Sequence, residues 1–123
     1  MIDLFIVDDN IFIMKLYLEF LKNAQFNVID SAVDGREAVS KYKKSAVRPD
    51  IVIMDYNMPF KNGIDAAKEI LQINKNAKIV IVSADYRVKE EALSSGVLDF
   101  IEKPFDLNEF NQKLLRIYNK KNN

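Results

Sequence analysis

Four short stretches of this sequence hold side chains that could do chemistry together. Asp8 and Asp9 follow the apolar run Leu4 to Val7, Asp55 ends "IVIMD", Ser83 ends "KIVIVS", and Lys103 stands before Pro104 in "EKPF". A carboxylate is a hard oxygen ligand, and several gathered at one point make a seat for a small octahedral cation that keeps some of its waters, magnesium above all. With three aspartates ionised and one lysine beside them, such a hollow carries about minus two, which a divalent ion brings near zero. A neutral hollow can admit an anion. That suits phosphoryl transfer, in which the protein mostly positions groups and neutralises oxygens. Asp55 is then the best-placed nucleophile, because carboxylates can form acyl phosphates.

Composition removes most competing chemistries. The 123 residues include neither cysteine nor histidine, which excludes disulfides, thiol nucleophiles, imidazole acid/base catalysis and the usual zinc sites. Lysine plus arginine and aspartate plus glutamate both number 18, so no overall field draws the chain to nucleic acid or to an acidic membrane. No apolar run approaches the ~18 residues of a membrane span, and no basic leader precedes an apolar core, so no membrane role and a cytoplasmic location are expected. Gly35, Gly63 and Gly96 are the only glycines, and none follows the first strand. Neither a phosphate loop nor a dinucleotide fingerprint is therefore present.

The elements that must position these side chains read as five strand-then-helix units. Residues 2–7, 50–54 and 78–83 are short, β-branched and apolar without alternation, as strands covered on both faces must be. Residues 27–33 and 98–103 mix polar and apolar positions and read as edges. Helical patterns occupy 10–24, 35–45, 63–74 and 87–95, the last closed by Gly96, and a fifth opens at Asp106 with Glu109 as its capping-box partner. The first helix is apolar almost all round, with overlapping stripes through Ile11, Met14, Leu18, Leu21 and through Ile13, Leu16, Tyr17, Phe20. Short right-handed connections and the central or edge character of each strand predict an α/β, flavodoxin-like, doubly wound sandwich. Its five-stranded parallel sheet takes the order 2-1-3-4-5, with five helices over the two faces. Winding reverses between strands 1 and 3, and a crevice opens there at the carboxyl ends, where Asp8, Asp9 and Asp55 all stand.

Singly, each residue has a plainer role. Asp8 and Asp9 could cap the first helix, worth ~0.3–2 kcal/mol. Ser83 could be a strand-end hydroxyl, Lys103 a solvated lysine, Phe100 a core residue and Asn57 a turn former. Their conjunction at one sheet edge is what points to a site.

The motifs "VDD" (7–9), "MDYNMP" (54–59), "VSA" (82–84) and "EKPF" (102–105), each in order and on the matching element, make the chain resemble the receiver domain of two-component response regulators, of the single-domain chemotaxis kind. The resemblance covers nearly the whole chain and implies the same 2-1-3-4-5 order. It implies one receiver domain over 1–123 without an output domain, and a phosphoacceptor at Asp55 charged by a phosphohistidine of a histidine kinase or histidine phosphotransfer protein. Magnesium would sit on Asp9, Asp55 and the backbone carbonyl of Asn57, with Asp8 reaching it through water. Ser83 would hydrogen-bond the phosphoryl group and Lys103 would pair with it. The Lys103–Pro104 bond would be cis. Phe100 would be the switch aromatic, turning inward as Ser83 moves and reshaping the face of the fourth helix, fifth strand and fifth helix for a separate effector. Serine at 83 and phenylalanine at 100 replace the commoner threonine and tyrosine.

Two other classes fit parts of the pattern. An aspartyl-phosphate phosphatase-like enzyme would need a second aspartate two residues after its nucleophile, where this chain has Asn57. A phosphorylation-independent interaction module would leave the acidic cluster without a purpose.

Overall fold

Unbroken apolar strands form a parallel sheet only if helices cover both faces, and the five strands of this chain are arranged that way. In the computed structural model, which describes residues 1–21 and 25–120, the strands are β1 (Ile2–Val7), β2 (Phe26–Ala32), β3 (Ile51–Asp55), β4 (Ile79–Ser83) and β5 (Asp99–Glu102). All neighbouring pairs are parallel, and the order is β2-β1-β3-β4-β5. The helices are α1 (Ile11–Phe20), α2 (Gly35–Lys44), α3 (Gly63–Ile73), α4 (Lys89–Ser94) and α5 (Leu107–Asn119), with one 3-10 turn, Tyr86–Val88, before α4.

Side chains alternate across each strand, so the sheet divides the interior in two. Leu4, Ile6, Ile51, Ile53, Val80, Val82 and Ile101 meet Met14 and Tyr17 of α1 and Phe110, Leu114 and Ile117 of α5. On the opposite face, Phe5, Val7, Val52, Met54, Ile81 and Phe100 meet Ala38 and Tyr42 of α2, Ile64, Ala67 and Ile70 of α3, and Ala92 of α4. Stacked rings of Phe105 and Phe110, 4.6 Å apart, join the start of α5 to Tyr17 of α1.

The elements shift slightly from the sequence-derived bounds. β3 extends to Asp55, and β5 is shorter than expected, so that Lys103 lies just beyond it. The helix expected over 10–24 runs only to Phe20, with Leu21 as its C-cap, and residues 22–24 lie outside the described residues. The fourth helix is split into the 3-10 turn and a six-residue α4, of which only Ala92 is buried, while Leu93 is exposed. Gly96 follows the C-cap of α4 at φ 105°, the left-handed conformation foreseen for it.

One glycine matters to the crevice. At the start of α3, Gly63 approaches the chain at Asp55 so closely that an added Cβ would lie 2.2 Å from the Asp55 carbonyl oxygen, a backbone atom that cannot step aside. Gly63 N also donates to the Tyr56 carbonyl at 2.8 Å, fixing α3 against the end of β3. Gly63→Ala is therefore expected to lower stability by ~1–3 kcal/mol in urea unfolding, through overpacking that displaces the Asp55 backbone.

Candidate functional site

The carboxyl ends of β1, β3, β4 and β5 each contribute a polar group to one crevice. Asp8 follows β1, and its N–H still donates to the Ala32 carbonyl of β2 at 3.1 Å, so its backbone continues the ladder. Its Oδ1 accepts from Asn10 N at 2.9 Å. Asn10 in turn caps α1, its side-chain oxygen accepting from Phe12 N and Ile13 N at 2.9 and 3.2 Å. Neither aspartate serves as the N-cap, and both are left to face the crevice. Asp8 is 1% exposed and Asp55 7%, whereas Asp9 stands at the exposed rim. One oxygen from each of the three lies within 4.8 Å of the others.

Lys103 is held from two directions. Its backbone N–H donates to the Ser83 carbonyl at 2.9 Å, and its peptide bond to Pro104 is cis. Its ammonium donates to Asp55 Oδ1 at 2.9 Å and lies 3.6 Å from Asp8 Oδ2. The longer contact is an ion pair but not a hydrogen bond, so Asp8 Oδ2 is a buried oxygen without a hydrogen-bond partner among the described residues. Ser83 is buried, and its Oγ accepts from Asp85 N at 2.9 Å. Asp55, Asn57, Ser83, Asp85, Arg87 and Lys103 line the resulting open cavity of about 500 Å³.

Phe100 lies elsewhere. Its ring is in the core beneath α4, not in the cavity wall, and at 3% exposure it is buried in this structure. Arg87 is the lining residue that sequence reasoning missed. The signal that could have found it is its spacing, two residues after Asp85 and four after Ser83, which one turn of chain brings back to the crevice.

Charge is under tension here. Burial pushes the Asp55 carboxyl up from 3.8 to about 6, the Lys103 hydrogen bond opposing this and the Asp8 charge reinforcing it. Burial likewise raises Asp8, only partly offset by the Asn10 N–H and by Lys103. Burial alone would lower Lys103, but its hydrogen bond to Asp55 and the charges of Asp55 and Asp8 leave it above its ordinary value. Beneath the crevice, the Tyr17 hydroxyl is raised by burial and by the charges of Asp8 and Asp55.

These residues fit a magnesium ion on their own geometry. Three convergent carboxylate oxygens and one orphaned buried oxygen form a donor set of hard ligands with more negative charge than a single ammonium balances.

Residues 4–115 match the response regulator receiver domain model, and the chain belongs to that family. It is similar to the chemotaxis protein CheY of Thermotoga maritima, 47% identical over 102 residues that cover 81% of this chain and 83% of that one. Among solved structures it superposes on a CheX-CheY-BeF3-Mg+2 complex from Borrelia burgdorferi with a TM-score of 0.89 and 35% identity, covering 97% of this chain and 90% of that one. The response regulator TrrA of Thermotoga maritima in complex with Mg(2+)-BeF matches with a TM-score of 0.86 and 29% identity, over 95% and 99% of the two chains. The protein is thus a CheY-type receiver domain, a class that acts in two-component signalling.

Because the Asp55 carboxyl is raised on folding, its contribution favours the fold below about pH 4 and is lost as pH rises through about 6. Without divalent ions, the stability of wild type relative to Asp55→Asn should fall by ~1–3 kcal/mol between pH 4 and pH 7, measured by thermal melts in chelator. Millimolar magnesium should restore most of that loss in wild type, since an ion that binds only the folded state stabilises it by mass action.

Proposed function

We propose that this chain is a phosphoacceptor switch in which Asp55 takes a phosphoryl group from a phosphohistidine on a histidine kinase or histidine phosphotransfer protein. The observation that carries this reading is the buried Asp55 carboxylate joined to Lys103 at 2.9 Å, beside two further aspartates at the winding reversal of the sheet. An Asp55 oxygen attacks phosphorus, the phosphorus–nitrogen bond breaks, and its electron pair leaves with the imidazole. Asp9, Asp55 and the Asn57 carbonyl would hold magnesium, with Asp8 behind them. When bound, that ion supplies positive charge to the phosphoryl oxygens.

The residues on β4 and β5 would convert this charge into a change of shape. A phosphoryl group adds nearly two negative charges, and Ser83 and Lys103 can each give it a charge-assisted hydrogen bond worth ~1.5–3 kcal/mol. Moving a two-state equilibrium from mostly off to mostly on needs ~5.5 kcal/mol of preference, a scale that two such bonds approach. Ser83 Oγ accepts from the Asp85 N–H, so a shift of Ser83 toward the group would pull on the segment that leads directly into the 3-10 turn and α4. With one fully buried residue, α4 is the least anchored helix on its face. The face of α4, β5 and α5 is therefore the surface that a downstream effector would read, with Phe100 beneath it.

The donor would dock on α1. Ile11, Phe12, Leu16, Leu18 and Phe20 remain exposed there, and Ile13, Leu16 and Phe20 wall an apolar groove with Pro104, Phe105 and Leu107 that runs up to Lys103. A helical partner laid along this groove covers apolar area while placing its imidazole over the crevice.

Incubation with magnesium and phosphoramidate should add one phosphoryl mass to the intact wild-type protein and none to Asp55→Asn. Mass gained by the asparagine variant would place the acceptor elsewhere. Leu16→Glu should slow transfer from a phosphohistidine donor at least ~10-fold, the cost of one charged group in an apolar contact, while leaving the phosphoramidate rate within twofold.

A further inference from the structure

The mouth of the crevice carries a guanidinium that the transfer described above does not use. Arg87 lines the cavity beside Asp55, Ser83 and Lys103. It grips Asp85 as a fork, Nε donating to Oδ1 at 2.9 Å and Nη2 to Oδ2 at 3.1 Å, while its backbone N–H adds a bond to Oδ1 at 3.0 Å. Planar two-point contact is how arginine recognises any carboxylate. The position of the fork is referenced to the reacting centre, because the Asp85 N–H donates to Ser83 Oγ. Its hold is also easily exchanged: the Arg87 side chain is 90% exposed, and ion pairs in open solvent contribute little.

We propose that Arg87 is a specificity-determining residue for small acyl phosphate donors, receiving the carboxylate that such a donor releases, and that Asp85 occupies the fork until the donor arrives. This rests on Asp55 being the phosphoacceptor. In the reaction, an Asp55 carboxylate oxygen bonds to phosphorus as the bond from phosphorus to the acyl oxygen breaks. The electron pair leaves on the acyl carboxylate, and no proton is required. Negative charge grows on both oxygens of that leaving group, which matches the two donors that Asp85 now occupies. A donor that releases ammonia offers the fork nothing to hold.

The two donor types separate this role from a structural one. Timed intact-mass measurements in magnesium compare acetyl phosphate with phosphoramidate on wild type, Arg87→Gln and Arg87→Lys. Arg87→Gln should slow acetyl phosphate roughly three- to fivefold, the scale of one solvent-exposed ion pair, with phosphoramidate unchanged within about 1.5-fold. Arg87→Lys should recover only part of the loss, since it keeps the charge but not the fork. Equal effects on both donors, or none on acetyl phosphate, overturn the proposal alone. A wild-type chain that gains no mass from either donor overturns the Asp55 reading and this proposal with it.

Discussion

Taking a carboxylate out of water is costly unless something answers its charge. Here Asp8 and Asp55 are both buried and face one ammonium, which donates a hydrogen bond to Asp55 and stands off from Asp8 at 3.6 Å. The balance is incomplete, and the upward displacement of both acids records it. Stability alone would favour apolar residues at these positions, so the arrangement is intelligible as a place held ready for additional positive charge. The same imbalance is what the proposed switch would use, first for a cation and then for a phosphoryl group.

The architecture keeps that tension in place. Parallel strands end together at one edge, so groups far apart in sequence arrive side by side without long loops. The backbone then locks each arm: Asp8 to β2, Lys103 to the Ser83 carbonyl, Tyr56 to the Val82 carbonyl, and α3 against Asp55 through Gly63. A crevice built on strand ends and main-chain bonds is stiff on the side of β1 and β3. It loosens toward the 3-10 turn and α4, where few side chains are buried. Firm main-chain support beneath Asp55 and sparse burial beside Ser83 would suit the proposed switch, which must bind accurately and then change shape.

Much of this was legible in the sequence because buried parallel strands announce themselves. The runs at Leu4–Val7, Ile51–Met54 and Ile79–Val82 have no polar interruption, and the polar residues that end them fall at the crevice by that fact alone. The strand order followed from which runs were fully apolar. What the sequence concealed depends on local hydrogen-bond competition. Asp8 and Asp9 read as the possible caps of α1, and the structure gives the task to Asn10 instead. The stripe on α1 could not be divided into buried and exposed halves, since nearly every position is apolar and only Met14, Tyr17 and Leu21 end in the core. Arg87 was hidden because an arginine in a charged helical pattern reads as solvated surface.

The division of the interior by the sheet also bears on how the chain is made. The core facing α2, α3 and α4 is furnished almost wholly by residues before position 101. The core facing α1 lacks Phe110, Leu114 and Ile117 until α5 is available. During synthesis one half can consolidate while the other waits with its most oily helix uncovered. The face of α1 that carries Met14 and Tyr17 is therefore where the nascent protein is most open to chaperones and to self-association, until α5 emerges from the ribosome and closes over it.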